Sequence, residues 1–267
     1  MARLDGKVAF ITGAARGQGR SHALTLAREG ADVAICDVAG QMKTVPYPLA
    51  SGEDLEETAR MVEELGRRCV YTQADVRSSE QMRAVADGAV GELGRIDILC
   101  ANAGISTYAK SWELTDEQWD EVIGVNLTGA WKSCRAVIPY MISGGGGAIV
   151  LTSSVAGLKG LPGLAHYAAA KHGVVGLMRS LAYELAEHNV RVNSIHPTGV
   201  NTPMVDNEVM GPLVDEHREY ALGGVNLMGN VLTEPQDVSN AVLWLVSDEA
   251  RYVTGVALPI DAGALVK

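Results

Sequence analysis

Ser154, Tyr167 and Lys171 are residue types that can move a proton, and their spacing lets them act together. Lys171 lies four residues after Tyr167, hence one turn along the same helix. A tyrosine with a pKa near 10 is a poor base at neutral pH and needs positive charge beside it. Lys171 supplies that charge. Ser154, thirteen residues before Tyr167, can hydrogen-bond the same substrate oxygen and steady a developing alkoxide. Taken alone, Tyr-x-x-x-Lys is a common accident, so the weight rests on what accompanies it.

A second set of residues can hold phosphate. An apolar run ends in Thr12-Gly13-Ala14-Ala15-Arg16-Gly17-Gln18-Gly19-Arg20, and a helix pattern starts inside that turn. Glycines let the backbone turn tightly and approach a pyrophosphate, while free N–H groups and the helix dipole favour its charge. Asp37 ends the next apolar run, eighteen residues beyond Gly19, close to the ~20 expected of a carboxylate that bonds an adenosine ribose. Such a carboxylate accepts from ribose hydroxyls and repels a 2′-phosphate, which points to NAD. Arg16 is the counter-signal, because a basic residue in the glycine loop can reach such a phosphate. An oxidised nicotinamide beside Tyr167 would share with Lys171 the task of lowering the phenol, where ~3 units require about 4 kcal/mol.

The elements that must position these groups alternate along the chain. Strand patterns cover Lys7 to Thr12, Asp32 to Cys36, Cys69 to Gln73, Ile96 to Ala101, Ala148 to Thr152, Val190 to His196 and Val256 to Ile260. Most are nearly continuous apolar runs, as strands covered on both faces require. Helix patterns lie at Gly17 to Glu29, Leu55 to Leu65, Ser79 to Leu93, Thr115 to Met141, Tyr167 to His188 and Gln236 to Val246, with a capping box from Thr115 to Gln118. A single α/β domain over 1–267 is predicted: a doubly wound parallel Rossmann sheet of about seven strands with helices on both faces. Two segments break the rhythm. Residues 38–52 insert about fifteen residues where about two to six are usual. Residues 200–232 hold Pro203, Pro212, Gly223, Gly224 and Gly229, the composition of a substrate lid.

Bulk properties exclude other classes. A net charge of -10 repels nucleic acid and anionic membrane. No apolar stretch approaches the ~20 residues of a bilayer span, and the first residues lack a signal core, so a cytoplasmic protein is expected. Cys36, Cys69, Cys100 and Cys134 form no Cys-x-x-Cys and read as buried free thiols. The six histidines show no metal-ligand spacing, so no metal is expected.

With these motifs in place, the chain resembles the short-chain dehydrogenase/reductase family over essentially its whole length. The matching residues are Thr12-Gly13-x-x-x-Gly17-x-Gly19, Asp75-Val76, Asn102-Ala103-Gly104, Asn126, Ser154, Tyr167-x-x-x-Lys171 and Pro197-Thr198-Gly199. The resemblance implies that Asn126, Ser154, Tyr167 and Lys171 are catalytic, with Asn126 holding a water relay to Lys171. It implies that NAD is held by Gly13, Arg16, Gly17, Gln18, Gly19, Asp37 and Val38. Asp75 and Val76 would lie beside adenine, and Asn102, Ala103 and Gly104 would support the nucleotide. Pro197, Val200 and Thr202 would line the nicotinamide end, with Lys171 also on its ribose. Two departures stand out: Gln18 replaces the usual aliphatic, and Thr198 splits the usual Pro-Gly pair.

Those departures, the insertion, and His196-Pro197-Thr198-Gly199-Val200-Asn201-Thr202-Pro203-Met204 resemble one branch, the carveol-dehydrogenase-type, mycofactocin-coupled enzymes. That resemblance implies a small, apolar secondary alcohol, of the terpenoid kind, and its ketone as substrate. It also implies an insertion that covers a non-exchanging NAD, an external redox carrier of the mycofactocin type, and a homotetramer. Met204, Met210 and Met228 with Leu158, Leu161 and Pro162 suit an apolar substrate cover or an ordinary core. Trp112, Trp119 and Trp131 are expected as packing anchors, and His166 as a pocket or packing residue. A 3-oxoacyl or sugar-alcohol dehydrogenase with freely exchanging cofactor stays open at this point, and so does a non-catalytic NAD-sensing protein.

Overall fold

The computed structural model describes residues 2–205, 207, 208, 212, 225–229 and 232–267. Seven strands form one parallel sheet: β1 (Val8–Thr12), β2 (Asp32–Asp37), β3 (Cys69–Gln73), β4 (Ile98–Ala101), β5 (Gly147–Thr152), β6 (Val190–Pro197) and β7 (Ala257–Ile260). Their order is β3-β2-β1-β4-β5-β6-β7. The chain winds outward in one direction from β1 and then in the other from β4, so the crevice for a ligand opens at the carboxyl ends of those two strands. The predicted single Rossmann sheet is the one observed.

Alternation along each strand sorts its residues to two faces. Phe10, Ala34, Cys36, Leu99, Ile149 and Leu151 join one buried cluster, and Ala9, Ile11, Val33, Ile35, Cys100 and Val150 the other. Both faces are apolar because helices cover both. The first cluster packs on α3 (Ser79–Leu93), α5 (Ala130–Ser143) and α6 (Ala165–Glu184); the second packs on α1 (Gly17–Arg28), α2 (Gly52–Glu64) and α7 (Pro235–Val246).

Caps fix several helix starts. Ser51 and Asp54 close a capping box on α2, and Thr115 and Gln118 close the predicted one on α4 (Asp116–Ile123). α2 starts at Gly52, so the loop after β2 comprises 38–51. The predicted helix from Thr115 to Met141 is three pieces, because a π-helical segment, Gly124–Gly129, joins α4 to α5. Gly129 lies against Val76, where a Cβ would stand 2.5 Å from the valine Cγ2. That close approach belongs to tertiary packing and leaves no trace in helical periodicity.

The tryptophan expectation needs correction. Trp112 is 81% exposed, Trp119 43% and Trp131 40%. Lys110 and Arg135 cover two of the rings, at 6.0 and 4.6 Å from the centroids of Trp112 and Trp131. Amphipathic periodicity marks an apolar face without saying whether this chain or another molecule covers it. The thiols are as expected: all four cysteines are free, three buried and Cys69 half-buried. No helix among the described residues is long and apolar enough to cross a membrane, and no cluster among them could hold a metal ion.

Candidate active site

A cavity of about 350 Å³ opens over the carboxyl ends of β1 and β4. At one end stands Asp37, at the other Ser154, Tyr167 and Lys171. Between them run the glycine loop and the segments that follow β3, β4 and β6.

The glycine loop is built around close backbone contacts. Gly13 has φ +67°, and a Cβ on it would stand 2.6 Å from Ala103 Cα; a Cβ on Gly19 would stand 2.1 Å from the Gly13 carbonyl oxygen. Only glycine permits both approaches. Gly19 therefore packs inside the turn and does not line the cavity, whereas Gly13, Gly17 and Gln18 do. Arg16, at the N-cap of α1, makes no side-chain bond to the helix's first turn, so the first-turn N–H groups stay available to an anion. Asn102 locks the β4 loop to this turn: its backbone N–H and that of Ala103 each donate to Thr12 Oγ1 at 3.1 Å, and its amide donates to the Thr12 and Gly13 carbonyls.

Asp37 accepts from Ala15 N–H and Ala39 N–H, both at 3.1 Å. Each oxygen keeps a lone pair for a further donor. Burial raises the Asp37 carboxyl, and the backbone N–H groups and the Arg16 charge oppose that rise. Asp75 goes the other way: Arg77 grips it with its backbone N–H and a bidentate guanidinium, and these bonds overcome the effect of burial and lower its pKa. Arg16 turns away from the phosphate cradle and donates to the Pro48 carbonyl, in the segment after β2. No residue in this arrangement is committed to a 2′-phosphate, while the Asp37 carboxylate would oppose one. The free amides, the cradle and the carboxylate together fit NAD.

The segment 38–51 is a folded clasp. Gln41 organises it from within, donating to the carbonyls of Met42, Val45 and Tyr47 at 3.2, 2.9 and 3.2 Å and accepting from Leu49 N–H at 3.0 Å. Outside, Lys43 pairs with Glu117, and Thr44 donates to Glu121 from both its backbone and its hydroxyl, all on α4. Tyr47 reaches inward, is buried, and accepts from Ser106 N–H at 3.1 Å. Met42, Tyr47 and Leu49 line the cavity with Val38.

At the catalytic end, Lys171 is buried and donates to the Thr152 carbonyl at 2.8 Å. Its Nζ lies 5.4 Å from the centre of the Tyr167 ring. Burial pushes Lys171 down to about 8. Burial also pushes the Tyr167 phenol up to about 12, opposed by a hydrogen bond with Ser154 and reinforced by Tyr108. The ammonium therefore does not by itself lower the phenol, as its sequence spacing suggests, because both groups lose solvation together. A further positive charge in the cavity is needed.

Asn126 sits behind the wall. Its amide donates to the Ile105 carbonyl at 2.8 Å and accepts from Ile105 N–H at 2.9 Å. A Cβ on Gly104 would stand 3.0 Å from Asn126 Oδ1 and 3.5 Å from Lys171 Nζ, so the bare glycine is what lets the two approach. Ala103, Gly104, Asp75, Val76, Pro197, Val200 and Thr202 all line the cavity.

Two residues join the site that spacing did not assign to it. His196 is fully buried and donates from Nδ1 to the Ser154 carbonyl at 2.7 Å, while Nε2 accepts from the Ser194 hydroxyl at 2.9 Å. Tyr47 is the other. Both contacts span long stretches of sequence, and no local pattern announces them. His166 is buried, bonded to Thr107 at 2.6 Å, and does not line the cavity. Of the expected lid, Met204, Val205 and Leu232 line the cavity with Leu161, whereas Met228 and Leu158 are exposed. Residues 206, 209–211, 213–224, 230 and 231, Met210 among them, lie outside the described residues.

Comparison with known proteins completes the assignment. The family model described as short chain dehydrogenase matches residues 7–211. The chain belongs to the short-chain dehydrogenase family. Within that family it is 52% identical to a (-)-trans-carveol dehydrogenase of Rhodococcus erythropolis, over 100% of both chains. Its structure is similar to that of a carveol dehydrogenase from Mycobacterium avium in complex with NAD, with a TM-score of 0.97, 48% identity and 100% of each chain covered. A short chain dehydrogenase from Mycobacterium paratuberculosis bound to NAD gives a TM-score of 0.94 at 43% identity, with 99% and 100% covered. The family and the likeness to carveol dehydrogenases read from the motifs are borne out. This short-chain dehydrogenase is thus an oxidoreductase by family.

Proposed function

We propose that this chain is an NAD-dependent oxidoreductase that interconverts a small, apolar secondary alcohol and its ketone. The observation that carries the reading is a single cavity with the Asp37 carboxylate at one end and Ser154, Tyr167 and Lys171 at the other. Bound NAD supplies a cationic pyridinium that accepts a hydride. The substrate oxygen sits between the Ser154 and Tyr167 hydroxyls. Tyr167 takes the alcohol proton, and Ser154 holds the oxygen as its charge develops. Lys171 favours the phenolate and binds the nicotinamide ribose; Asn126 fixes the Ile105 backbone and holds the water that returns protons to Lys171. Gly13, Arg16, Gly17, Gln18, Asp37, Val38, Asp75, Val76, Asn102, Ala103, Gly104, Pro197, Val200 and Thr202 make up the cofactor-binding set, and Gly19 serves it from inside the turn by letting the loop close.

The substrate half of the cavity carries Ile105, Leu161, Leu164, Met204 and Val205. A terpenoid alcohol such as the carveol named for the relatives suits that lining. The segment 38–51 acts as a clasp over the cofactor: Arg16 ties it to the glycine loop, Tyr47 to the β4 loop, and Lys43 and Thr44 to α4. Such a clasp would hold bound NAD through turnover, and an external carrier of the mycofactocin type would then take up the electrons at the site. The exposed Trp119 and Trp131 support assembly into a homotetramer. Native mass measurement of freshly purified protein, followed by a chase with isotope-labelled NAD, tests retention. Stoichiometric NAD that resists the chase supports the clasp, and exchange within the mixing time rejects it.

A further inference from the structure

One side chain of the insertion after β2 reaches the catalytic end of the cavity. Tyr47 is 3% exposed and lines the cavity wall. Its hydroxyl accepts from Ser106 N–H at 3.1 Å and makes no other hydrogen bond among the described residues, so its own proton has no acceptor there. Burial, with the nearby Tyr167 and Tyr108 phenols, pushes the Tyr47 pKa up against the pull of that N–H, and the hydroxyl keeps its proton. A phenol can donate as well as accept, and native structures leave few buried donors unused. The proton transfer assigned to Tyr167, Ser154 and Lys171 makes no use of this one.

The surroundings of the hydroxyl belong to the substrate half. Arg16 holds the Pro48 carbonyl beside the glycine loop, and the neighbouring Tyr47 side chain extends from there to Ser106. Ser106 opens a segment that runs along the start of α6. Its side chain hydrogen-bonds Tyr108, Thr107 bonds His166, the residue before Tyr167, and Ala109 N–H donates to the Gly163 carbonyl at 3.1 Å. Tyr108 also lines the cavity, with Ile105, Leu161 and Leu164. The substrate space therefore has an apolar lining with two separate polar points on its wall. Ser154 and Tyr167 form one, and Tyr47 forms the other.

We infer that Tyr47 donates a hydrogen bond to a second oxygen of the substrate, an acceptor carried on the apolar skeleton away from the carbinol. The inference rests on the alcohol reading above and narrows it. The preferred substrate is a cyclic alcohol with a further hydroxyl, ketone or ether oxygen, and the insertion takes part in choosing it. A hydrocarbon alcohol leaves the Tyr47 proton unpaired in a dry wall, and an oxygenated one removes that penalty.

Single-turnover reduction in the NAD-saturated enzyme, followed by nicotinamide absorbance, tests it with a matched pair of alcohols: 1,4-cyclohexanediol, and 4-methylcyclohexanol, in which a methyl takes the place of the second hydroxyl. The wild type should prefer the diol in its second-order rate constant. Tyr47→Phe keeps the ring and loses the hydroxyl, and that preference should fall by about tenfold. Because the ratio compares two alcohols on one protein, a loosened clasp or weaker NAD binding cancels from it. A wild type without preference for the diol overturns the inference with no variant needed. So does a Tyr47→Phe variant that changes both rates by the same factor, since the hydroxyl would then serve the cofactor or the wall alone. A wild type that reduces NAD with neither of these alcohols nor with any other cyclic secondary alcohol would reject the alcohol reading itself, and the inference with it.

Discussion

Tyr167 and Lys171 occupy the same dry end of the cavity, and burial moves them in opposite directions, the phenol up to about 12 and the ammonium down to about 8. Burial thus holds both groups toward their neutral forms, and a cationic nicotinamide bound beside them would favour the phenolate. Lysine residue chemistry and stability are then in tension. A lysine whose folded pKa is lowered destabilises the fold at every pH below about 8, and the penalty is relieved as pH rises from 8 toward its ordinary value. Lys171→Met should therefore raise stability at neutral pH, by on the order of 1–3 kcal/mol once the lost bond to Thr152 is counted. It should also abolish turnover. Urea unfolding of the two proteins at neutral and alkaline pH checks the sign: the gain should shrink as pH rises. Asp37→Asn keeps the shape and removes the charge, so discrimination against NADP should fall by about tenfold or more, read as the ratio of the two affinities.

The elements carry the part of the site that spacing could not reach. Glycine-loop placement, Asp37 at the end of β2 and the one-turn offset of Tyr167 and Lys171 were all legible, because each is local or follows from the parallel winding. The clasp was legible only as length. Its ties run from Arg16 to Pro48, from Tyr47 to Ser106 and from Thr44 to Glu121, across separations that no local pattern encodes. The π-helical segment at Gly124–Gly129 and the His196 bond to Ser154 escaped for the same reason. Gln41 offers the direct test of the clasp. Its amide makes four bonds within the segment, none of them to the rest of the fold. Gln41→Ala should leave the melting temperature within a few degrees and speed NAD exchange by about tenfold or more. A variant that retains NAD as the wild type does would show that the clasp does not hold the cofactor.

At the scale of the molecule, the sheet was legible to its strand count because nearly continuous apolar runs mark strands covered on both faces. What covers the outer faces was not, and the exposed tryptophans are the result. Buried histidines set the response to acid. Burial pushes His22 down to about 3 and His166 to about 4, from 6.5. Both stay neutral in the fold while the unfolded chain takes up protons, so stability is lost as pH falls from about 6.5 toward 4. The loss should be roughly 2 kcal/mol per histidine by pH 5. Denaturant midpoints measured from neutral pH downward should fall over that window, and His166→Asn should flatten part of the fall.

The central claim is that Tyr167 exchanges the proton while NAD takes the hydride. Single-turnover reduction of bound NAD by a cyclic secondary alcohol, followed by nicotinamide absorbance in the wild type and in Tyr167→Phe, tests it most directly. The wild type should reduce its NAD, and Tyr167→Phe should bind NAD with unchanged affinity yet reduce it at least about a thousandfold more slowly. Reduction by Tyr167→Phe at the wild-type rate would contradict the assignment.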